Sequence, residues 1–219
     1  MLRSLCGVAA LAAVVGSASA QVTSATYDWE DGGTILGSFG GNMNAVNYVA
    51  GDPGLVHSGN ASLFIYEEPL GGTPQAFVAW ITGLQDGDVI DASFWAWDNT
   101  PDASPSVRIW GHYGVAADGI DSYEGSAGGN NTYSGATVWS NLAHSWTFDS
   151  AGGTRDSLIL EVRMYAGDLS TNFAYIDDIA VTVTGADISG VNIIFPVPAP
   201  GAIALLGLAG LAGSRRRRG

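Results

Sequence analysis

Two short stretches of the chain combine tryptophan with polar residues at every second position. The residues concerned are Trp95 and Trp97 in the first stretch, and Arg108, Trp110 and His112 in the second. Side chains alternate between the two faces of a strand, so each set lies on one face if its stretch is a strand. Aromatic rings stack on the C–H faces of sugars, and polar neighbours can bond the hydroxyls. The five residues are therefore a candidate glycan-binding surface.

This surface requires the two stretches to pair as a hairpin through residues 99–105. It also requires the opposite face of the first stretch, with Ile90, Phe94 and two alanines, to be the core face, so that the two indoles point outward. The opposite facing stays open. In that case the tryptophans are bulky core residues and Arg108 lies at an edge, because burial is the commoner fate of tryptophan in a strand.

Catalysis has less support. The three histidines, at 57, 112 and 144, have no metal-ligand spacing, and no Gly-x-Ser-x-Gly elbow occurs. Carboxylates are plentiful enough for glycoside hydrolysis, but no strand carries them as a cluster. The only cysteine, Cys6, lies in a segment that we expect to be removed. We therefore predict that the protein is not an enzyme, with a glycoside hydrolase as the less favoured alternative.

The elements that must position these residues are short strands. Gly-Gly and Asp-Gly pairs recur along residues 21–184 and break any long helix. We predict an all-β fold, an antiparallel β-sandwich of jelly-roll type, with no boundary inside this range. The candidate strands are Ala61 to Glu67, Gln75 to Ile81, Val89 to Asp98, Ser106 to Tyr113, Thr137 to Leu142, His144 to Asp149, Ser157 to Tyr165 and Phe173 to Val183. Residues 185–196 are either a spacer or a late edge strand.

Alternation also predicts which side chains meet the core. In Ser157 to Tyr165 the even-numbered residues are apolar, which places Glu161 and Arg163 on the other face. In the last strand, unbroken alternation would put Asp177 on the same face as Ile179 and Val181. A carboxylate there needs a cation or several N–H donors, because an unpaired buried charge is costly.

The charge of this domain excludes one class of partner. All 21 acidic residues lie between Asp28 and Asp187, against only Arg108, Arg155 and Arg163, and lysine is absent. A formal charge of −18 disfavours nucleic acid and anionic lipid surfaces. Neutral polysaccharides and divalent cations suit it better.

Four segments together resemble jelly-roll carbohydrate-binding modules of the cellulose- and xylan-binding type. They are Asp28-Trp29-Glu30-Asp31-Gly32, Val56 to Leu63, Leu84 to Asp88 and Ala174 to Ile179. The resemblance implies a structural Ca²⁺ between the acidic N-terminal strand and the closing strand. Its implied ligands are Glu30 and Asp177, with Asp28 and Asp178 as alternates and backbone oxygens near Ser58 to Asn60. Oxygen ligands suit Ca²⁺; otherwise these acids are solvated rim residues or turn caps.

The N-terminal residues 1–20 have the pattern of a secretory signal peptide. Arg3 precedes an apolar stretch from Leu5 to Val15, and Ala18-Ser19-Ala20 supplies small residues for cleavage before Gln21. We therefore expect export.

The C-terminal residues 197–219 read as a sorting segment. Val197-Pro198-Ala199-Pro200 is followed by an apolar run from Gly201 to Gly213 and then by Arg215, Arg216, Arg217 and Arg218. A 13-residue helix spans about 20 Å, short of the ~30 Å hydrocarbon core, and the arginines would stay on the cytoplasmic side.

The order of these parts resembles the PEP-CTERM sorting signal of diderm bacteria, although Ala199 stands where the motif has Glu. This resemblance implies an exosortase-type membrane protease as partner, a transient stay in the inner membrane and transfer to the cell surface or extracellular matrix. A permanent membrane anchor is the alternative.

Two functional hypotheses follow. The first is an exported, surface-sorted β-sandwich that binds glycan, either an environmental polysaccharide or the cell's own extracellular matrix. The second is a structural or adhesive matrix protein that binds no sugar.

Overall fold

The computed structural model describes residues 20–98, 107–133, 137–165 and 173–197. This part of the chain contains twelve strands and two single turns of 3₁₀ helix, at Pro53–Leu55 and Ala116–Asp118. The strands are β1 (Gln21–Tyr27), β2 (Gly37–Phe39), β3 (Met43–Val49), β4 (Ala61–Glu67), β5 (Gln75–Thr82), β6 (Val89–Trp97), β7 (Val107–Gly114), β8 (Ser126–Thr132), β9 (Ser140–Thr147), β10 (Ser157–Met164), β11 (Phe173–Gly185) and β12 (Asn192–Ile194).

The strands form two antiparallel sheets. Sheet A has the order β3-β4-β11-β6-β9, and β1 lies beside the second half of β11. Sheet B has the order β12-β5-β10-β7-β8, and β2 shares the free edge of β5 with β12. The predicted all-β sandwich is confirmed.

One core lies between the sheets. The even-numbered residues of β6 and β10 enter it, and Ile90, Phe94, Leu158 and Leu160 are fully buried there. The facing predicted for β10 is therefore confirmed, and of the two facings left open for β6 the structure has the one that points the indoles outward. Since only one face of each strand is needed for the core, the other face is left for loops or for ligands.

The predicted strand list differs from the observed strands in two respects. The two predicted strands in residues 137–149 are one strand, β9 (Ser140–Thr147), because the chain remains extended through Ala143. β1, β2, β3 and β8 were not predicted, since these segments are rich in Gly, Asn, Ser and Thr and lack a long apolar alternation.

The face predicted for Asp177 is wrong. The pairing of β11 with β6 shifts register between Asp177 and Ala180, and Asp178 has a φ of +47°. This β-bulge changes which residues of β11 enter the core, from Ala174 and Ile176 before it to Ile179 after it. Asp177 therefore points out of sheet A, on the face opposite to the core.

The chain past β11 returns to the sandwich. β12 pairs with the end of β5, and the Phe195 ring stacks on Tyr27 at a centroid distance of 5.6 Å. Within the described residues no helix is long and apolar enough to cross a membrane. Residues 1–19 and 198–219, which carry most of the predicted signal peptide and sorting segment, lie outside the described residues, whereas Val197 is described and exposed.

Candidate functional site

The five predicted sugar-binding residues lie on opposite sides of the molecule. Trp95 and Trp97 are on β6, which pairs with β11 and β9 in sheet A, whereas β7 pairs with β10 and β8 in sheet B. The predicted β6–β7 hairpin is therefore wrong. Alternation assigns a face to each strand but does not say whether the next strand joins the same sheet, and here the chain crosses between sheets.

On the outer face of sheet A, the loop that contains His57 covers Trp95. The His57 ring stacks on the Trp95 indole with 4.0 Å between centroids and 16° between planes. Trp139 meets His57 edge-on at 5.5 Å, and its Nε1 donates to the carbonyl oxygen of Gly54 at 3.1 Å. Trp97 contacts Tyr175 edge-on at 5.7 Å. Trp95 therefore serves as packing surface for a loop of its own chain.

The predicted metal ligands hold the same loop by its backbone. Asp177 is fully buried and accepts N–H bonds from His57 at 2.9 Å, Ser58 at 3.2 Å and Asp178 at 2.8 Å. Burial raises the pKa of the Asp177 carboxyl to about 6, with the three N–H groups acting in the opposite direction. Asp178 accepts from Ser58 Oγ at 2.7 Å and contacts His57 Nδ1 at 2.5 Å.

Glu30 holds the end of the loop. Its Oε1 accepts from the N–H groups of Asn60 at 2.6 Å and Ala61 at 2.7 Å. Gly59 lies directly against this carboxylate, since a Cβ at Gly59 would sit 2.3 Å from Glu30 Oε1, and its φ is +65°. Asp28 caps its own turn by accepting from Glu30 N at 3.3 Å.

This arrangement does not fit a Ca²⁺ shell. Oxygens of all four predicted ligands accept hydrogen bonds, and the segment around Ser58 to Asn60 turns N–H groups toward Glu30 and Asp177 rather than the predicted backbone oxygens. Among the described residues, no three His, Cys, Asp or Glu side chains are grouped closely enough to hold a metal ion. Ca²⁺ binding stays a prediction of the family resemblance alone, and removal of divalent ions tests it.

The outer face of sheet B contains an open cleft of about 480 Å³. Its floor is formed by side chains of β5, β7 and β10, and its walls by β2, the start of β8 and the loop after the second 3₁₀ turn. The residues that line it are Phe39, Gln75, Phe77, Trp110, His112, Asp121, Tyr123, Ser126, Glu161 and Arg163. Trp110 and His112, two of the predicted residues, are among them.

The floor of the cleft is a buried polar network. Glu161, His112 and Gln75 are only 1%, 3% and 7% exposed. Glu161 contacts Nδ1 of His112 through one carboxylate oxygen. The amide of Gln75, oriented to suit its neighbours, donates to both oxygens of Glu161 at 3.1 Å and accepts from Arg163 Nη2 at 2.7 Å. These contacts compensate the buried carboxylate and fix the donors and acceptors of the floor.

The Trp110 indole is held from two neighbouring strands. Its Nε1 donates to Ser126 Oγ of β8 at 2.9 Å, and the guanidinium of Arg163 of β10 lies 4.6 Å from its ring centroid. Arg108, also a predicted residue, does not line the cleft; its Nε donates to Thr132 Oγ1 at 2.9 Å and its guanidinium lies 5.1 Å from the Tyr165 ring centroid. Arg108 thus lies beside the cleft, with its guanidinium 5.8 Å from the ring centroid of Trp110.

Sequence analysis did not assign Glu161 and Arg163 to the site, although it placed both on the outer face of their strand. Direct pairing of Glu161 with Trp110 across β10 and β7 is what joins them to the predicted residues. Gln75 and Phe77 carried no signal in the sequence. Asp121 belongs to an acidic loop with no metal-ligand spacing.

No protein-family profile matches the sequence, and the search of curated proteins finds no match. The xylan-binding CBM22-1 domain of Xyn10C from Paenibacillus barcinonensis shares 11% identity at a TM-score of 0.49, covering 74% of this chain and 95% of that one.

Two further solved structures are similar. TmCBM61, solved with β-1,4-galactotriose, shares 17% identity at a TM-score of 0.39, covering 70% of this chain and 92% of that one. The Stig cyclase Fisc from Fischerella sp. TAU shares 11% identity at a TM-score of 0.49, covering 80% and 93%. At these identities and TM-scores, none of the three structures assigns a family or a function to this chain.

Proposed function

We propose that the protein is an exported, non-catalytic β-sandwich module that binds a polysaccharide in the cleft of sheet B. The observation that carries the proposal is an open cleft that combines an indole ring with a buried polar network. Trp110 supplies a ring for the C–H face of a sugar, and Arg163 and Asp121 supply a donor and an acceptor for its hydroxyls above the floor that the Glu161 network fixes.

A neutral polysaccharide is the ligand class that suits the electrostatics. The charge of the acidic domain repels long polyanions, and Arg163 shares the cleft with Glu161 and Asp121. The cleft therefore offers hydrogen bonds and ring contacts rather than a strong positive field.

We include sorting to the cell surface in this proposal. The apolar run and the arginine cluster that follow the domain support recognition by an exosortase-type protease after transient insertion in the inner membrane. The test replaces Val197, Pro198 and Pro200 by alanine in the full chain expressed in a diderm host with an exosortase. Loss of transfer to the surface in the variant supports sorting. If the variant and the unmodified protein both stay in the membrane, a permanent anchor is favoured.

The binding test is a panel of neutral and acidic polysaccharides measured by affinity electrophoresis and calorimetry. We expect Trp110→Ala to lower affinity at least about tenfold, since stacking on an aromatic ring is the main non-polar contact the cleft offers. Trp97→Ala is the matched control, because Trp97 is also a half-buried indole on an outer face, but of sheet A. Its affinity should equal that of the unmodified protein.

Each other result has a defined meaning. An equal loss of affinity in both variants contradicts binding in the cleft. If the protein binds no polysaccharide of the panel, a structural or adhesive matrix protein is favoured. Release of reducing ends from a bound polysaccharide would contradict the non-catalytic part of the proposal.

A further inference from the structure

β3 is an edge strand of sheet A without the usual protection against pairing. Natural edge strands carry charges, proline or bulges that prevent association with another chain. β3 has none of these: its seven residues are uncharged, contain no proline, and pair in unbroken register with β4. Val46, at its centre, is 49% exposed.

Every second residue of β3 directs its backbone N–H and C=O groups away from β4, toward the free side of the sheet. Ala50 N donates to Asn60 O, and Glu68 N donates to Asn42 O, both at 2.9 Å, so even-numbered residues of β3 bond to β4. Hydrogen-bonded positions alternate along an antiparallel strand, and therefore Ala45, Asn47 and Val49 direct their N–H and C=O groups outward. Among the described residues these groups have no backbone partner.

The chain around β3 carries no charge that would repel a second acidic copy of the protein. Residues 32–51 form a run of 20 without a charged side chain, between Asp31 and Asp52. Beside Val46 on the outer face lie Phe64 and Tyr66 of β4, which stack on each other at 5.4 Å. Two copies that meet at this edge place apolar and neutral side chains together and keep their acidic residues apart.

We infer that two copies of the protein associate through β3, which pairs antiparallel with β3 of the second copy about a two-fold axis at Val46. In this register Ala45 bonds to Asn47 of the second copy and the reverse, and the two Val46 side chains are neighbours. Sheet A then continues across the dimer. The isologous contact closes after two copies, so no longer polymer forms.

The dimer has a consequence for ligand binding. A two-fold axis perpendicular to a continuous sheet leaves the same face of both copies on the same side, so the two clefts of sheet B open in one direction. On the proposed function, a surface of aligned polysaccharide would bind both clefts at once and gain avidity without new contacts. The dimer itself does not depend on that function.

The strand contact is small compared with the 1,200–2,000 Å² of a stable interface, and the two acidic bodies repel. We therefore expect weak association, with a Kd on the order of 10–100 µM, that strengthens with salt as the repulsion is screened. The measurement is sedimentation equilibrium of residues 21–196, which contain all twelve described strands and the whole described core, in about 20 mM and about 500 mM NaCl.

The decisive variant is Val46→Lys, which places two ammonium groups side by side at the two-fold axis. We expect its Kd to rise at least about tenfold. Val46→Thr keeps an uncharged β-branched residue and should preserve the dimer. Val22→Lys is the matched control, because Val22 is 63% exposed on β1, another uncharged edge strand of sheet A. Thermal melting verifies that each variant is folded.

Three results would overturn the inference. The first is a monomer at all concentrations up to about 300 µM at high salt, well above the expected Kd. The second is an equal or larger effect of Val22→Lys than of Val46→Lys. The third is growth into larger polymers, which requires a contact that does not close. A dimer that forms while no polysaccharide binds would leave the inference standing and would contradict the proposed function alone.

Discussion

The two outer faces of the sandwich carry similar residues and use them differently. Each has tryptophan, histidine and a carboxylate close together: Trp95, His57 and Asp178 on sheet A, and Trp110, His112 and Glu161 on sheet B. On sheet A the histidine belongs to a loop that lies on the indole, so these side chains contact one another and leave no surface for a ligand. On sheet B the histidine is in the floor, and the indole lines an open cleft.

The difference teaches that side-chain type does not separate a structural cluster from a binding site. What separates them is whether the chain itself supplies the partner. The loop of residues 50–60 satisfies the acids and covers the ring of sheet A, whereas the loop with Asp121 and Tyr123 stops at the wall of the cleft and leaves the floor open.

The largest expected effect is that of Asp177→Ala on stability. The variant removes the acceptor of three backbone N–H groups beneath the loop, and buried unpaired groups cost about 1–3 kcal/mol each before relaxation. We expect a loss of about 3 kcal/mol in the free energy of unfolding, measured by urea denaturation. Asp121→Ala, at an exposed acid of the cleft wall, is the control and should cost less than about 0.5 kcal/mol.

The next effect is a contrast between two variants, one that lowers stability and one that lowers affinity. Trp95→Ala removes a ring packed under His57 and should cost about 2 kcal/mol of stability while the affinity for polysaccharide stays the same. Trp110→Ala should do the reverse, with about 1 kcal/mol or less of stability lost and the affinity strongly lowered. Both variants are measured by urea denaturation and calorimetry. If both lost the same stability and the same affinity, the two faces would not differ as described.

A smaller effect concerns pH. The pKa of Asp177 is raised to about 6 in the folded protein, above its usual value of 3.8, so the folded state holds a proton that the unfolded state releases. The stability from that proton is complete below pH 3.8 and is lost as pH rises through 6. Stability should therefore be higher at pH 5 than at pH 7 by about 1 kcal/mol. Asp177→Asn does not titrate, and its melting curves should lack this part of the pH dependence; an unchanged dependence would place its origin elsewhere.

The comparison also shows what could be predicted from the sequence. The alternation of apolar residues identified β4, β5, β6, β7, β10 and β11, and it separated the indoles of β6 and β7 from the apolar residues of those strands without deciding which face is the core. These are local properties, determined by each strand's need to bury one face. The pairing of strands is not local. Placing Trp110 with Glu161, and Trp95 with His57, required knowing which strands and loops are neighbours.

The acids around β11 illustrate the limit most clearly. One inserted residue, at the bulge of Asp177 and Asp178, reverses the side of the sheet on which every later side chain lies. The sequence Ile176-Asp177-Asp178-Ile179 does not indicate the bulge, since two adjacent acids fit an unbroken strand equally well. The sequence did indicate that Asp177 needs a cation or several N–H donors, and three N–H donors are what it contacts.

The smallest expected effect is that of removing divalent ions. A Ca²⁺ ion between Glu30 and Asp177 would have to displace the N–H groups that already donate to their carboxylate oxygens. The ion would also have to lose bound water, whereas the N–H bonds form without that cost. We therefore expect EDTA to change the melting midpoint by less than about 1 °C, where loss of a structural ion from a domain this size typically lowers it by several degrees. A fall of that size, reversed by Ca²⁺ and absent in Glu30→Gln, would show that the ion holds the loop. The N–H bonds to Glu30 and Asp177 would then describe only the ion-free protein.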